Sequence, residues 1–209
     1  MIFDSNSIDR LRLLVKDFLS PYRFKHTEGV EEMSAYIGRI LIPERVDELR
    51  VAALLHDITK ELSYEDHLEL LNSSSLNYTQ EDLQTKPALH SISAVPFIER
   101  NFKDYATSDV LSAVANHTLG VDNISLFDEI IFISDYAEIG RTYPTCIEVR
   151  KYLIDNLNTN KSFTENLTVL HRASILAIDY TIQSISQRGE IVNSKTFSMR
   201  KHLCDLIAK

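Results

Sequence analysis

The stretch Leu49 to Lys60, LRVAALLHDITK, is an apolar helix that runs into two ionisable side chains. Leu49, Ala52 and Ala53 share a helix face with His56. Adjacent residues on a helix point about 100° apart. His56 and Asp57 therefore reach one common point most readily where the helix is ending. The β-branched pair Ile58-Thr59 and then Lys60 mark such an end.

The same oddity recurs along the chain. His26 lies on the face of Val30, Met33 and Ile37. His90 leads to Ala94, Phe97 and Ile98, and His117 follows Val110, Ala113 and Val114. Asp135 follows Ile131 and Phe132 and precedes Ile139. Burying a polar group without a partner costs about 2–7 kcal/mol, and a charge costs more. A metal site would satisfy all of these residues together. His67 passes the same facial test and His171 passes it in part, so position on a face does not separate a ligand from a hydrogen-bonded core histidine. The latter is the expected role of His67, His171 and His202.

Helical spacing runs through nearly the whole chain. Ile8, Leu11, Leu14, Val15 and Phe18 mark a first helix. Ser20-Pro21 opens a second, with Ser as N-cap and Pro at the first position. A third covers about Glu44 to His56. Ser63 opens a short fourth, with Asp66 at capping-box spacing. Another starts near Pro87 and should be kinked or interrupted at Pro96. Ser108, Ser125, Thr145 and Ser162 precede further helical patterns. Phe163 to Gln187 is the longest, with Gly189 as its C-cap, and a last helix covers about Lys195 to Ala208. Asn72 to Asn77 (NSSSLN) is a polar loop. Ile130 to Ile133 could form a buried strand, but its flanks keep helical spacing. The expectation is one all-α domain over residues 1–209, with a core at about 20–141 and C-terminal helices at about 145–209 packed on it.

Composition excludes several classes. A net charge of -8 argues against a general nucleic-acid binder. None of the five glycines forms GxG or precedes Lys, which removes phosphate-loop and dinucleotide fingerprints. Two cysteines, Cys146 and Cys204, make neither a disulfide framework nor a thiolate cluster, as suits a reducing, cytoplasmic setting. The start MIFDSNSIDR is not a secretory signal. Apolar runs such as Val51 to Leu55 are too short to span a bilayer.

In order, the pattern His26, His56-Asp57, His90, His117, Asp135 resembles the HD-domain metal-dependent phosphohydrolases. The two intervening histidines resemble the subclass holding two metals. Local sequences are similar to the YqeK-like bacterial symmetrical diadenosine tetraphosphatases. These are RFKHTEGV at Arg23 to Val30, LLHDITK at Leu54 to Lys60, NHTLG at Asn116 to Gly120, and SLFDEIIFISDYAEIGR at Ser125 to Arg141. The third has Leu119 where the family has a second Thr. The fourth departs at Ser134, Ala137 and Ile139.

The resemblance implies an HD-type helical bundle. It implies an enzyme that cleaves diadenosine tetraphosphate symmetrically to two ADP by a metal-bound hydroxide. His26, His56, Asp57 and Asp135 would hold one metal, and His90 and His117 a second, with Asp57 bridging. Imidazole and carboxylate without thiolate suit Fe, Mn, Co, Ni or Zn, and the family implies iron. Asp57 and Lys60 are the catalytic candidates, and Arg23, Lys60, Thr118 and Arg141 the substrate-binding ones. Each of these last four has a plainer alternative as a surface, capping or ion-pair residue. The alternative functions are an HD phosphohydrolase of another nucleotide (a nucleoside monophosphate, cyclic dinucleotide or guanosine polyphosphate) or a non-catalytic nucleotide or metal sensor. The expected partner is a small nucleotide, with no membrane. The oligomeric state stays open, a homodimer included.

Overall fold

The computed structural model describes residues 3–208, so Met1, Ile2 and Lys209 of the expected 1–209 domain lie outside the described residues. Among the described residues there are eleven α-helices and no strand. In chain order they are α1 Ser5–Lys16, α2 Pro21–Leu41, α3 Val46–Leu55, α4 Tyr64–Asn72, α5 Gln80–Gln84, α6 Leu89–Asn101, α7 Ser108–Asn116, α8 Leu126–Ala137, α9 Pro144–Asn156, α10 Phe163–Gln187 and α11 Ser194–Ile207. Ile130 to Ile133 lies inside α8, as its flanking period requires.

The helix starts follow the capping chemistry. Ser20 accepts from the Arg23 amide with Pro21 at the first position of α2. Ser63 with Asp66, and Ser162 with Glu165, form capping boxes. Gly189, at φ +70°, closes α10 in the left-handed region. Three boundaries differ from expectation. Thr107, not Ser108, caps α7. The helix α9 begins at Pro144, one residue before Thr145. A short 3-10 turn, Pro43–Arg45, replaces the expected start of α3 at Glu44. Pro96 does not interrupt α6, which continues to Asn101. Pro96 costs the helix one backbone donor, and the apolar packing of Val95, Pro96 and Ile98, all buried, works against that cost.

The core lies where α2 packs on α3 and α8, and α7 packs on α3, α6 and α8. Ile37, Leu49, Leu54, Leu55, Ile130, Ile131 and Ile133 are fully buried there. Each such side chain contributes about 1.5–3 kcal/mol through removal from water. Behind them α10 contacts α8, α9 and α11. The start of α11 is tied to α5, which the sequence pattern missed because five residues carry no periodicity. Glu81 accepts from the Ser194 amide (2.7 Å) and hydroxyl (2.5 Å). Lys195 donates to Asp82 at 2.7 Å, and Asn193 donates to Thr85 at 3.2 Å.

Candidate metal centre

Four helices end or begin at one point. His56 is the C-cap of α3, and the chain beyond it winds off in turns closed by Lys60 N–H to the Asp57 carbonyl (2.9 Å). His117 is the C-cap of α7. His90 opens α6, and Asp135 lies in the last turn of α8. His26 reaches in from α2. Helix ends let neighbouring side chains converge that a continuous helix would splay apart, which is why both His56 and Asp57 point to the centre.

The four imidazoles share one orientation. His56 Nδ1 donates to the Ala53 carbonyl (2.6 Å), His117 Nδ1 to Val114 (2.7 Å) and His90 Nδ1 to Pro87 (2.9 Å). A carbonyl oxygen can only accept, so Nδ1 carries the proton in each. His26 Nδ1 faces the Glu138 carboxylate at 3.1 Å. Every Nε2 is thereby left to the interior. Among buried side-chain atoms, His56 Nε2 has no hydrogen-bond partner, and His26 Nε2 faces only carboxylates, Asp135 Oδ1 at 3.0 Å being the nearer. Buried acceptors are rarely left so unless an ion takes their lone pair. That fits a metal of the kind imidazole and carboxylate prefer.

Asp57 stands between two groups. Its Oδ2 is 3.5 Å from His56 Nε2 and 3.7 Å from His26 Nε2. Its Oδ1 is 3.1 Å from His90 Nε2 and 3.6 Å from His117 Nε2. Asp135 Oδ1 lies 3.0 Å from His26 Nε2 and 3.9 Å from His56 Nε2. Two triads have their donor atoms close enough for one ion: His26, His56 and Asp135, and His56, Asp57 and His117. His90 adjoins the second through His117, at 3.1 Å between their Nε2 atoms.

The electrostatics favour a cation. Burial works against ionising Asp57, but the surrounding imidazoles hold its carboxyl well below the usual range. Burial likewise opposes the Asp135 charge, and Arg141 and His26 overcome it. Burial disfavours a protonated His26, yet Asp135 and Glu138 outweigh it and lift its pKa to about 9. His90 goes the other way: desolvation dominates over Asp57 and pushes it down to about 4, so its ring is neutral at pH 7.

The expected phosphate contacts surround these residues. Arg23 Nη1 bonds Asp57 Oδ2 at 2.7 Å, and Arg141 Nη2 bonds Asp135 Oδ1 at 2.6 Å. Lys60 Nζ is 3.1 Å from His90 Nε2, and Thr118 Oγ1 is 3.2 Å from the same nitrogen. Burial lowers the Lys60 pKa against the raising effect of Asp57. The other histidines are accounted for locally. His67 Nδ1 meets Ser93 Oγ at 2.7 Å and His171 Nδ1 meets Glu129 at 2.8 Å, while His202 is half-buried on α11.

Glu138 was not among the residues that sequence reasoning singled out. It lies past the end of α8, outside any helical period, so nothing local marks it. The fold makes room for it with two glycines. A Cβ on Gly29 would overlap its carboxylate, a Cβ on Gly140 would approach Oε2 to 2.9 Å, and the Gly140 amide donates to it. A carboxylate behind a ligating histidine fixes the tautomer and makes the ring more basic.

The chain matches the HD domain family over residues 23–140. It belongs to that family and is an enzyme of its hydrolase class. Three relatives, each named symmetrical bis(5'-nucleosyl)-tetraphosphatase, narrow the placement. The Halalkalibacterium halodurans protein is 30% identical over 69% of this chain and 76% of its own length. The Bacillus subtilis protein is 26% identical over the same shares, and the Staphylococcus aureus protein is 26% identical over 76% and 80%. A Clostridium acetobutylicum structure, described as a predicted HD superfamily hydrolase involved in NAD metabolism, superposes with a TM-score of 0.77. It is 26% identical, covering 94% of this chain and 96% of that one. The chain thus falls with the YqeK-like symmetrical bis(5'-nucleosyl)-tetraphosphatases, the family its motifs resemble. No helix among the described residues is long and apolar enough to cross a membrane.

Proposed function

We propose that the chain hydrolyses diadenosine tetraphosphate symmetrically to two ADP, with two metal ions, iron by preference, held by six side chains. The observation that carries this reading is the common orientation of His26, His56, His90 and His117. Each has its Nδ1 turned to an acceptor and its Nε2 turned to Asp57 or Asp135. In this reading His26, His56, Asp57 and Asp135 hold one ion. His90 and His117 hold the other, and the two Asp57 oxygens serve both sides. When bound, such an ion pair supplies a water ionised near neutral pH and positive charge on both flanks of an in-line displacement. It also lets a chain of net charge -8 attract a polyphosphate.

The remaining work falls to the chain itself. Glu138 holds the His26 ring in place. Arg23, which spends one nitrogen on Asp57, and Arg141, which spends Nε on the Asp135 carbonyl and Nη2 on its carboxylate, present their remaining N–H groups to non-reacting phosphate oxygens. Lys60 and Thr118, both touching His90, donate to the phosphate on that side. Water adds to one inner phosphorus, and the central P–O–P bond breaks. The water oxygen ends on one ADP and the bridging oxygen on the other. ADP is a better leaving group than an alcohol because its terminal phosphate spreads charge, so monoesters should be poor substrates.

Chromatography of the products decides the reading. ADP alone is expected. ATP plus AMP would mean that an outer P–O–P bond breaks and would refute symmetrical cleavage. No turnover, with rapid hydrolysis of a nucleoside monophosphate, would move the chain to another HD phosphohydrolase activity.

A further inference from the structure

A symmetrical dinucleotide needs two places for its nucleosides, one on each side of the bond that breaks. The broad groove beside His26, Arg23 and Arg141 is open, with a volume of about 900 Å³, and is rich in charged side chains. A second pocket, of about 590 Å³, lies elsewhere, between the turn before α6, the end of α10 and the start of α11. Pro87, Leu119, Ile185 and Ile191 give it apolar walls, and Glu81, Lys86, Arg188 and Glu190 line it as well. This is the size and chemistry of a small-ligand site: mostly apolar, with a few polar groups to fix orientation.

The pocket is not isolated from the centre. A smaller cavity, of about 130 Å³, is lined by His117 and Asp135 and also by Thr118, Thr181 and Thr196. The same three threonines line the larger pocket. They form a shared waist, and Thr118 also stands 3.2 Å from His90 Nε2. At the waist the Thr196 hydroxyl is committed to the Leu119 carbonyl (3.0 Å) and that of Thr181 to Ala177 (2.9 Å). Each keeps an acceptor lone pair but not its proton, so methyl groups and spent hydroxyls rather than charges border the passage. That suits a neutral sugar and base better than a phosphate chain.

We infer that this pocket receives one nucleoside arm of the substrate. The purine lies between the aliphatic side chains of Leu119, Ile185 and Ile191, and the first phosphate of that arm lies by Thr118. The inference rests on the proposed dinucleotide activity, which it deepens by assigning the second nucleoside a place formed by the C-terminal helices. It gives those helices a part in selecting a substrate with two nucleosides over a mononucleotide.

Two measurements on the metal-loaded full chain test it. The first uses 8-azidoadenosine diphosphate as a photoaffinity probe, with peptide mapping of the label. Label within residues 181–193 is expected. Label confined to the groove side, at Tyr22 or Tyr143, or no label, overturns the inference. The second is Ile185→Arg, a half-buried position near the end of α10 where helix content can be verified. An arginine there places charge in the apolar wall, so KM for diadenosine tetraphosphate should rise ~10-fold or more. An unchanged KM overturns the assignment. Should the parent protein not turn over this substrate, the activity reading fails, and the photolabel still decides the pocket because it requires only ADP binding.

Discussion

Glu138 Oε1 stands 3.1 Å from His26 Nδ1, in a space that Gly29 and Gly140 leave open for it. The pair turns His26 Nε2 toward Asp135. Glu138→Gln should keep the fold but weaken metal affinity or activity by about 10- to 100-fold, the usual effect of losing an outer carboxylate. Metal titration of the chelated protein measures it. Gly29→Ala should act in the same direction by displacing the carboxylate. Unaltered affinity in both variants would remove Glu138 from the centre.

Asp57 and His117 separate the two halves of the centre. The parent is expected to purify with about two ions per chain. Asp57→Asn should abolish activity and lower occupancy overall, because each of its oxygens faces a different pair of histidines. His117→Ala should mainly deplete the half it shares with His90. Elemental analysis reads both. Equal metal content in parent and variants would rule out the ligand assignment.

Arg141 has two claims on it, a phosphate and Asp135. Arg141→Ala should lower kcat/KM by about 10- to 150-fold if its free N–H groups bind substrate. Steady-state kinetics at saturating metal is the measurement. Loss of metal with KM unchanged would instead assign the side chain wholly to Asp135.

Asp82 gives a pH signature away from the centre. Burial raises its pKa, but the Lys195 ammonium and the Thr79 amide and hydroxyl overcome that and hold it below the usual value. A depressed folded pKa contributes stability above the unfolded value of about 3.9 and loses it as pH falls through the folded one. Asp82→Asn should therefore cost about 1.5 kcal/mol near neutrality, at the low end for a charge-assisted bond because Lys195 is partly exposed. That is ~3–6 °C in Tm for a chain of this size. The gap between parent and variant should shrink in acid. A gap that persists at the lowest pH at which both remain folded would assign the loss to packing.

Much of this was legible because a metal-type cluster violates helical amphipathicity. His26, His90, His117 and Asp135 stand out on apolar faces, and the fold brings them to His56-Asp57. The HD ending of α3 was legible for the same reason. What was not legible depends on tertiary approach. Glu138 is an ordinary acidic residue after a helix until Gly29 from α2 is seen beside it. The helix α5 is too short to show a period, and only its ties to α11 give it a purpose. Arg23 and Arg141 were expected to hold phosphate, and their pairing with Asp57 and Asp135 needs coordinates.

The ties between α5 and α11 also have an order in time. Synthesis proceeds from the N-terminus at about 5–20 residues per second. The last of the six ligand candidates, Asp135, leaves the ribosome well before Asn193, Ser194 and Lys195 exist to hold Thr85, Glu81 and Asp82. The nascent chain therefore contains the whole centre while one wall of the adjoining pocket is still unmade. Maturation is vectorial: the metal centre can gather first, and the pocket wall closes only after residues 193–195 have been made.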